Sequence, residues 1–179
     1  MNILQTTFLF FAQYPLHAGV MKNFNKSTST QEYNDLKTLA QNIPVKDRIP
    51  QLTDYVFGVS DEAVKKRIQS ISGVYLFVDY GDIRTTTNSL NVKKEEFDIS
   101  VTVARPFSSN TFDAMEEIVM VDSYLQILAD IRKDMRENRD DPFVRLLTFP
   151  TDITPFASAQ LNNSYGFSMV FQIQGVELI

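Results

Sequence analysis

The chain has no cysteine, no tryptophan, one histidine and six scattered glycines. Without cysteine there is no disulfide framework, thiolate metal site or thiol nucleophile, and folding needs no oxidising compartment. His17, beside Pro15 and Leu16, lacks the companions that a His-based metal site requires and reads as structural. The glycines form neither G-x-G-x-x-G nor G-x-x-x-x-G-K-[ST], so no nucleotide-binding loop is expected, and no serine sits in a nucleophile elbow. Dense basic runs are also missing. Lys65-Lys66-Arg67 and Lys93-Lys94 are each flanked by acids, the formal net charge is −5 and the pI is about 4.9. Capture of a phosphate backbone needs a basic face, so sequence-specific nucleic-acid binding is not expected. No apolar run reaches membrane-spanning length. Phe8-Leu9-Phe10-Phe11-Ala12 has no preceding positive segment and is broken by Gln13 and Pro15. It reads as a buried or docked N-terminal strand, not as a signal peptide or a span.

What is present is ordinary globular material: 179 residues, 44% hydrophobic and 22% charged. That length suits one folded unit with room for an arm or subdomain. The 14 Phe and 7 Tyr favour sheet structure and contact surface.

Along the chain, residues Met1 to Lys26 form an apolar lead-in, and the polar stretch from Asn23 to Thr30 reads as a loop. Ser29 and Glu32 are spaced as a capping box for a helix along which Tyr33, Leu36, Leu39 and Ala40 recur at helical spacing and which ends near Asn42. Residues Ile43 to Thr53 carry Pro44 and Pro50 and are expected to be extended. A second helix is capped by Ser60, stapled by Val59 and Val64, and stopped by Gly73. Strand alternation then covers Val74 to Tyr80. Gly81-Asp82 makes a turn or bulge, Arg84 to Thr87 continue the strand, and Asn88 to Asn91 form a hairpin tip. Val92 to Ala104 alternates Phe97, Ile99, Val101 and Val103 with Asp98, Ser100 and Thr102, as a half-buried strand does. A long helix from Phe112 to Asn138 carries Ile118, Val121, Leu125 and Leu128 as a stripe, expected to face the core, with Asp122-Ser123 a candidate break. Val144 to Phe149 and Tyr165 to Gln174 read as closing strands, and Gly175 as a bulge before an apolar end tied into the fold or a partner.

The fold class expected is therefore α+β. A mostly antiparallel sheet of four to five strands carries one long helix across it, with N-terminal helices and an apolar arm. Residues 1–58 make the arm and helical lead-in, and 59–179 the core of one folded unit.

Candidate chemistry is thin. Asp79, Asp82, Glu95, Glu96 and Asp98 fall on or near neighbouring strands, where converging carboxylates can hold Mg²⁺ with Lys93 or Lys94 assisting. Their spacing does not match the nuclease pattern of an acid strand followed by Glu-x-Lys, and a solvated sheet face carries acids in the same alternation. A metal-dependent nuclease using Asp79 and Asp98 is thus the weakest of three readings. No catalytic residue, metal or cofactor is expected. Phe8, Leu9, Phe10, Phe11 and Tyr14 can pack on their own domain or dock on a neighbour as an arm.

From Asp61 onward the order of elements resembles the tail-terminator and tail-completion proteins of long-tailed bacteriophages. The matching segments are the helix Val64 to Ile71, the hairpin of Val74 to Tyr80 with Phe97 to Pro106, and the helix through Tyr124 to Leu128. The strands Val144 to Phe149 and Tyr165 to Gln174 complete the order. About two-thirds of the chain is covered, and the N-terminal part is longer than the family's usual lead-in. The resemblance implies a non-enzymatic virion protein, assembled in the host bacterial cytoplasm into a ring, commonly sixfold. The ring caps the tail tube and joins it to neck and connector proteins, with DNA passing through the lumen. The interface residues it suggests are the apolar arm (Phe8, Leu9, Phe10, Phe11, Tyr14) and the hairpin (Arg84, Asn88, Asn91, Lys93, Lys94). An oligomeric adaptor outside any virion is the second reading.

Overall fold

The computed structural model describes residues 2–44, 49–59, 62–87, 93–107, 113–149 and 152–175. The chain begins with helices α1 (Ile3–Phe11), α2 (His17–Met21) and α3 (Gln31–Gln41), then strand β1 (Leu52–Phe57) and helix α4 (Glu62–Gln69). Strands β2 (Val74–Thr87) and β3 (Lys93–Pro106) follow, then the long helix α5 (Ala114–Glu137). A 3-10 turn (Val144–Leu146) leads to β4 (Leu147–Thr148), β5 (Ile153–Ser158) and β6 (Ser164–Gly175). The fold is α+β.

The six-stranded sheet runs β1-β2-β3-β6-β4, and β5 also pairs with β6. It is mixed, not mostly antiparallel as expected. The reason is α4: a helix between β1 and β2 returns the chain to the same end of the sheet, so these two strands run parallel. The sheet also has more strands than expected, because two segments without a clean alternation join it. One is β1, beyond the two prolines; the other is β5, inside the Thr/Pro-rich connection. Pro155 is tolerated there because β5 pairs with β6 alone, on a register running from Ile153↔Met169 to Ser158↔Ser164.

The β2–β3 hairpin matches the alternation closely. Leu76↔Val103, Val78↔Val101 and Tyr80↔Ile99 are cross-strand pairs, and the register shifts between Tyr80 and Ile83, at the expected Gly81-Asp82 bulge. The tip expected at Asn88 to Asn91 lies outside the described residues.

Period-two alternation sorts the sheet residues onto two faces. On one, Leu76, Val78, Phe97, Ile99, Val101, Val103, Met169, Phe171 and Ile173 form the main core with residues of α1, α2 and α5. On the other, Val56, Tyr75, Phe77 and Ala104 pack with Val64 and Ile68 of α4. Gly166 sits where β6 crosses close to β3: a Cβ there would collide with the backbone of Val103 and Ala104. The lead-in contributes to the same core: Ile3, Phe11 and Val20 cluster with Phe171 and Leu128.

The lead-in departs most from expectation. Phe8 to Ala12 lies in and just after a helix, not a strand. Ile3, Thr7, Phe8 and Phe11 are its buried residues, a spacing near 3.6, which a short apolar run does not reveal by itself. Thr30, not Ser29, caps α3, and its side chain makes no capping hydrogen bond; Leu39 stays 56% exposed. Ser60 lies outside the described residues; Val59 is exposed and Val64 is buried. The segment Val144 to Phe149, expected as one strand, is a 3-10 turn (Val144–Leu146) followed by a two-residue strand.

Candidate subunit interface

The long helix α5 divides into two unlike halves. Its start is firmly specified: Asp113 accepts from the backbone N–H of Met115 (2.8 Å) and Glu116 (3.0 Å), and the Glu116 side chain accepts from the Asp113 N–H (3.2 Å). The 24 residues then run unbroken past Asp122-Ser123. Ser123 is accommodated because its hydroxyl donates to the Met120 carbonyl at 2.6 Å. From Tyr124 onward, Tyr124, Ile127, Leu128, Ile131 and Met135 are buried on the sheet. Before Tyr124 no helix residue is buried. Met115 is 66% exposed, Ile118 58% and Val119 70%.

The expected core stripe is therefore corrected. Leu128 is fully buried, Leu125 and Val121 are half-buried, and Ile118 faces water. The cause is the end of the sheet. Phe167 is half-buried and lines a shallow groove with Ile118, Val121 and Leu125, while Tyr165, two residues back on the same face, is itself exposed. Cover runs out beneath the first turns of α5. On the other flank Met115, Val119 and Met120 line a second open groove. The helix start thus leaves Met115, Ile118 and Val119 largely exposed.

The other predicted interface residues divide. The apolar arm is not an arm. Phe8, Phe11 and Tyr14 are buried in the chain's own core, and Leu9 and Phe10 pack against it. Phe8 stacks with Tyr55 at 5.2 Å between ring centroids, and Phe10 with Phe143 at 4.7 Å. The Tyr14 hydroxyl donates to Asp134 Oδ2 at 2.9 Å, tying the lead-in to α5. Burial, reinforced by the Asp134 carboxylate, raises the Tyr14 phenol well above its ordinary value. These five side chains serve cohesion, because α1 has the main core beneath it.

The hairpin is more open. Gly81 to Arg84, Thr85, Thr87 and Lys93 are exposed. Arg84 donates to Asp98 Oδ2 at 2.9 Å and Lys94 to Glu96 Oε1 at 3.0 Å. Asn88 and Asn91 lie outside the described residues.

Of the expected acidic cluster, Asp79, Glu96 and Asp98 share one sheet face, and Glu95 alternates onto the other. Asp98 also accepts from Gln172 Nε2 at 3.2 Å, and Asp79 sits opposite Ser100 in the register. Glu96 and Asp98 are thus held by chain-internal donors, and Asp82 is exposed at the bulge. Among the described residues no group of three or more His, Asp or Glu is placed to hold a metal ion. His17 opens α2, and its Nε2 is buried without a hydrogen-bond partner. Among the described residues no helix is long and apolar enough to cross a membrane.

No family model, no curated protein and no solved structure matches the chain. Met115 and Val119 were not singled out from the sequence. A signal was there: Ile118-Val119-Met120-Val121 is apolar at consecutive helical positions, and a sheet can cover only one side of a helix.

Proposed function

We propose that the chain is a non-enzymatic structural subunit that assembles through the uncovered first half of α5. The observation that carries this reading is the exposure of Met115, Ile118 and Val119 on one well-capped helix. An apolar surface held on a rigid element suits permanent contact better than chemistry. The assembly proposed is a ring at the tail or neck of a phage or prophage-like particle, joining the tail tube to head-proximal proteins. Support for that setting is the element order: helix, hairpin ending at Arg105-Pro106, a helix across the sheet, and closing strands. The exposed stretch of the hairpin from Gly81 to Thr85 suits contact with a neighbouring tube. An acidic overall charge, −5, suits a channel that passes DNA without capturing it.

The test is negative-stain imaging of the purified protein alone and after mixing with isolated tail tubes. Rings that seat on tube ends are expected. A protein that forms no ring and ignores the tubes contradicts the reading. Rings that form but ignore the tubes leave the adaptor outside a virion as the better description.

A further inference from the structure

The uncovered start of α5 is acidic as well as apolar. Asp113, Glu116, Glu117 and Asp122 are interleaved with Met115, Ile118 and Val119. A surface that covers it must therefore carry cations opposite these acids. Helix α4 of this chain offers them: Lys66 and Arg67 share an exposed side of that helix with Ala63 and Glu62, and the alkyl stems of the two cations supply its apolar part. We infer that the first half of α5 docks on α4 of a second copy of this chain, in a head-to-tail contact. The inference rests on the assembly reading above and names its partner surface.

Three features support it. The two surfaces lie on opposite faces of the sheet, α4 over Tyr75 and Phe77 and α5 over the main core, so they leave each other uncovered within one chain. Lys66, Glu117 and Asp122 form no ion pair among the described residues, while Lys65 Nζ holds Glu62 Oε1 at 3.0 Å and Arg67 Nη1 donates to the Phe57 carbonyl at 3.1 Å. Lastly, a symmetric α5-to-α5 contact would set four acids of each copy against their like, which disfavours it. Two different patches meeting in one contact propagate around a ring, whereas a self-complementary patch stops at a dimer.

The test is a charge exchange read by sedimentation velocity. One variant carries Lys66→Glu and Arg67→Glu; the other carries Glu117→Lys and Asp122→Lys. Each alone opposes like charges at every contact and is expected to sediment as a monomer. Mixed in equal amounts, each acidic α5 finds a basic α4 and each basic α5 an acidic α4, so the wild-type assembly returns. A mixture that stays monomeric, or an α4 variant that assembles like the wild type, overturns the inference while the assembly reading stands. A wild type that is itself monomeric removes both. Far-UV circular dichroism checks that each variant is folded. Should one unfold, the wild type in rising salt decides. Between about 0.1 and 1 M the Debye length falls from about 10 to about 3 Å, and a charge-matched contact must weaken. An assembly indifferent to salt overturns the inference.

Discussion

The contrast between the halves of α5 predicts opposite behaviour for two truncations only three turns apart. Leu128 is fully buried, so Leu128→Ala removes a core side chain and leaves a cavity, at a cost of about 3–5 kcal/mol. Ile118 is 58% exposed, so only about two-fifths of its surface contributes within the chain. Full burial of such a side chain is worth roughly 1.5–3 kcal/mol, and two-fifths of that is roughly 1 kcal/mol. Alanine is the better helix former by a few tenths, and an open groove leaves no cavity, so Ile118→Ala should cost about 0.5 kcal/mol or less. The assay is urea unfolding at protein concentrations dilute enough that subunit binding does not add to stability. Midpoints should fall sharply for Leu128→Ala and hardly move for Ile118→Ala, with the denaturant slope unchanged. If Ile118→Ala loses more than about 2 kcal/mol, the chain itself covers the helix start, and the reasoning fails.

Other predictions follow from specific contacts. Gly166→Ala forces β3 and β6 apart, because the added carbon meets backbone and not a yielding side-chain tip; a loss of about 1–3 kcal/mol should appear in thermal melts. Asp113→Ala removes both capping bonds at the α5 start and should cost about 0.5–2 kcal/mol, with fraying visible as faster amide exchange at Met115 and Glu116. Stability should also fall in alkali. Burial pushes the Tyr75 phenol up to about 12 and raises those of Tyr55 and Tyr14 well above the ordinary value. Below about pH 10 both folded and unfolded states keep these phenols neutral, so the stability is intact. Above it only the unfolded chain ionises, and each such tyrosine removes about 1.4 kcal/mol per pH unit. For Tyr75 alone this reaches about 3 kcal/mol by about pH 12, and a urea midpoint unchanged across that range would contradict it.

The sequence was most legible where one period dominated. The alternation of Phe97, Ile99, Val101 and Val103, and that of Tyr165 to Gln174, mark strands whose registers the structure pairs directly, Ile99↔Phe171 among them. The bulge at Gly81-Asp82 was legible for the same reason, as a break between two alternating runs. Where both faces of an element are apolar the period vanishes. Phe8-Leu9-Phe10-Phe11 fits a strand or a helix equally, and only the partners decide; Tyr55, Phe143 and Phe171 surround it and make α1 a core helix. Strand β5 was hidden because Pro155 argues against pairing, and only its edge position makes it harmless. The α5 stripe was read correctly as helical but its environment changes along its length. Periodicity reports which side of a helix is apolar, and not how far the sheet beneath it extends.

The most direct measurement is the molar mass of the wild type and of Ile118→Asp, taken by light scattering at the same concentration. The account predicts a multiple of the 20.5 kDa chain for the wild type and a folded single chain for the variant. Equal masses for the two proteins, whether both single or both assembled, would contradict it.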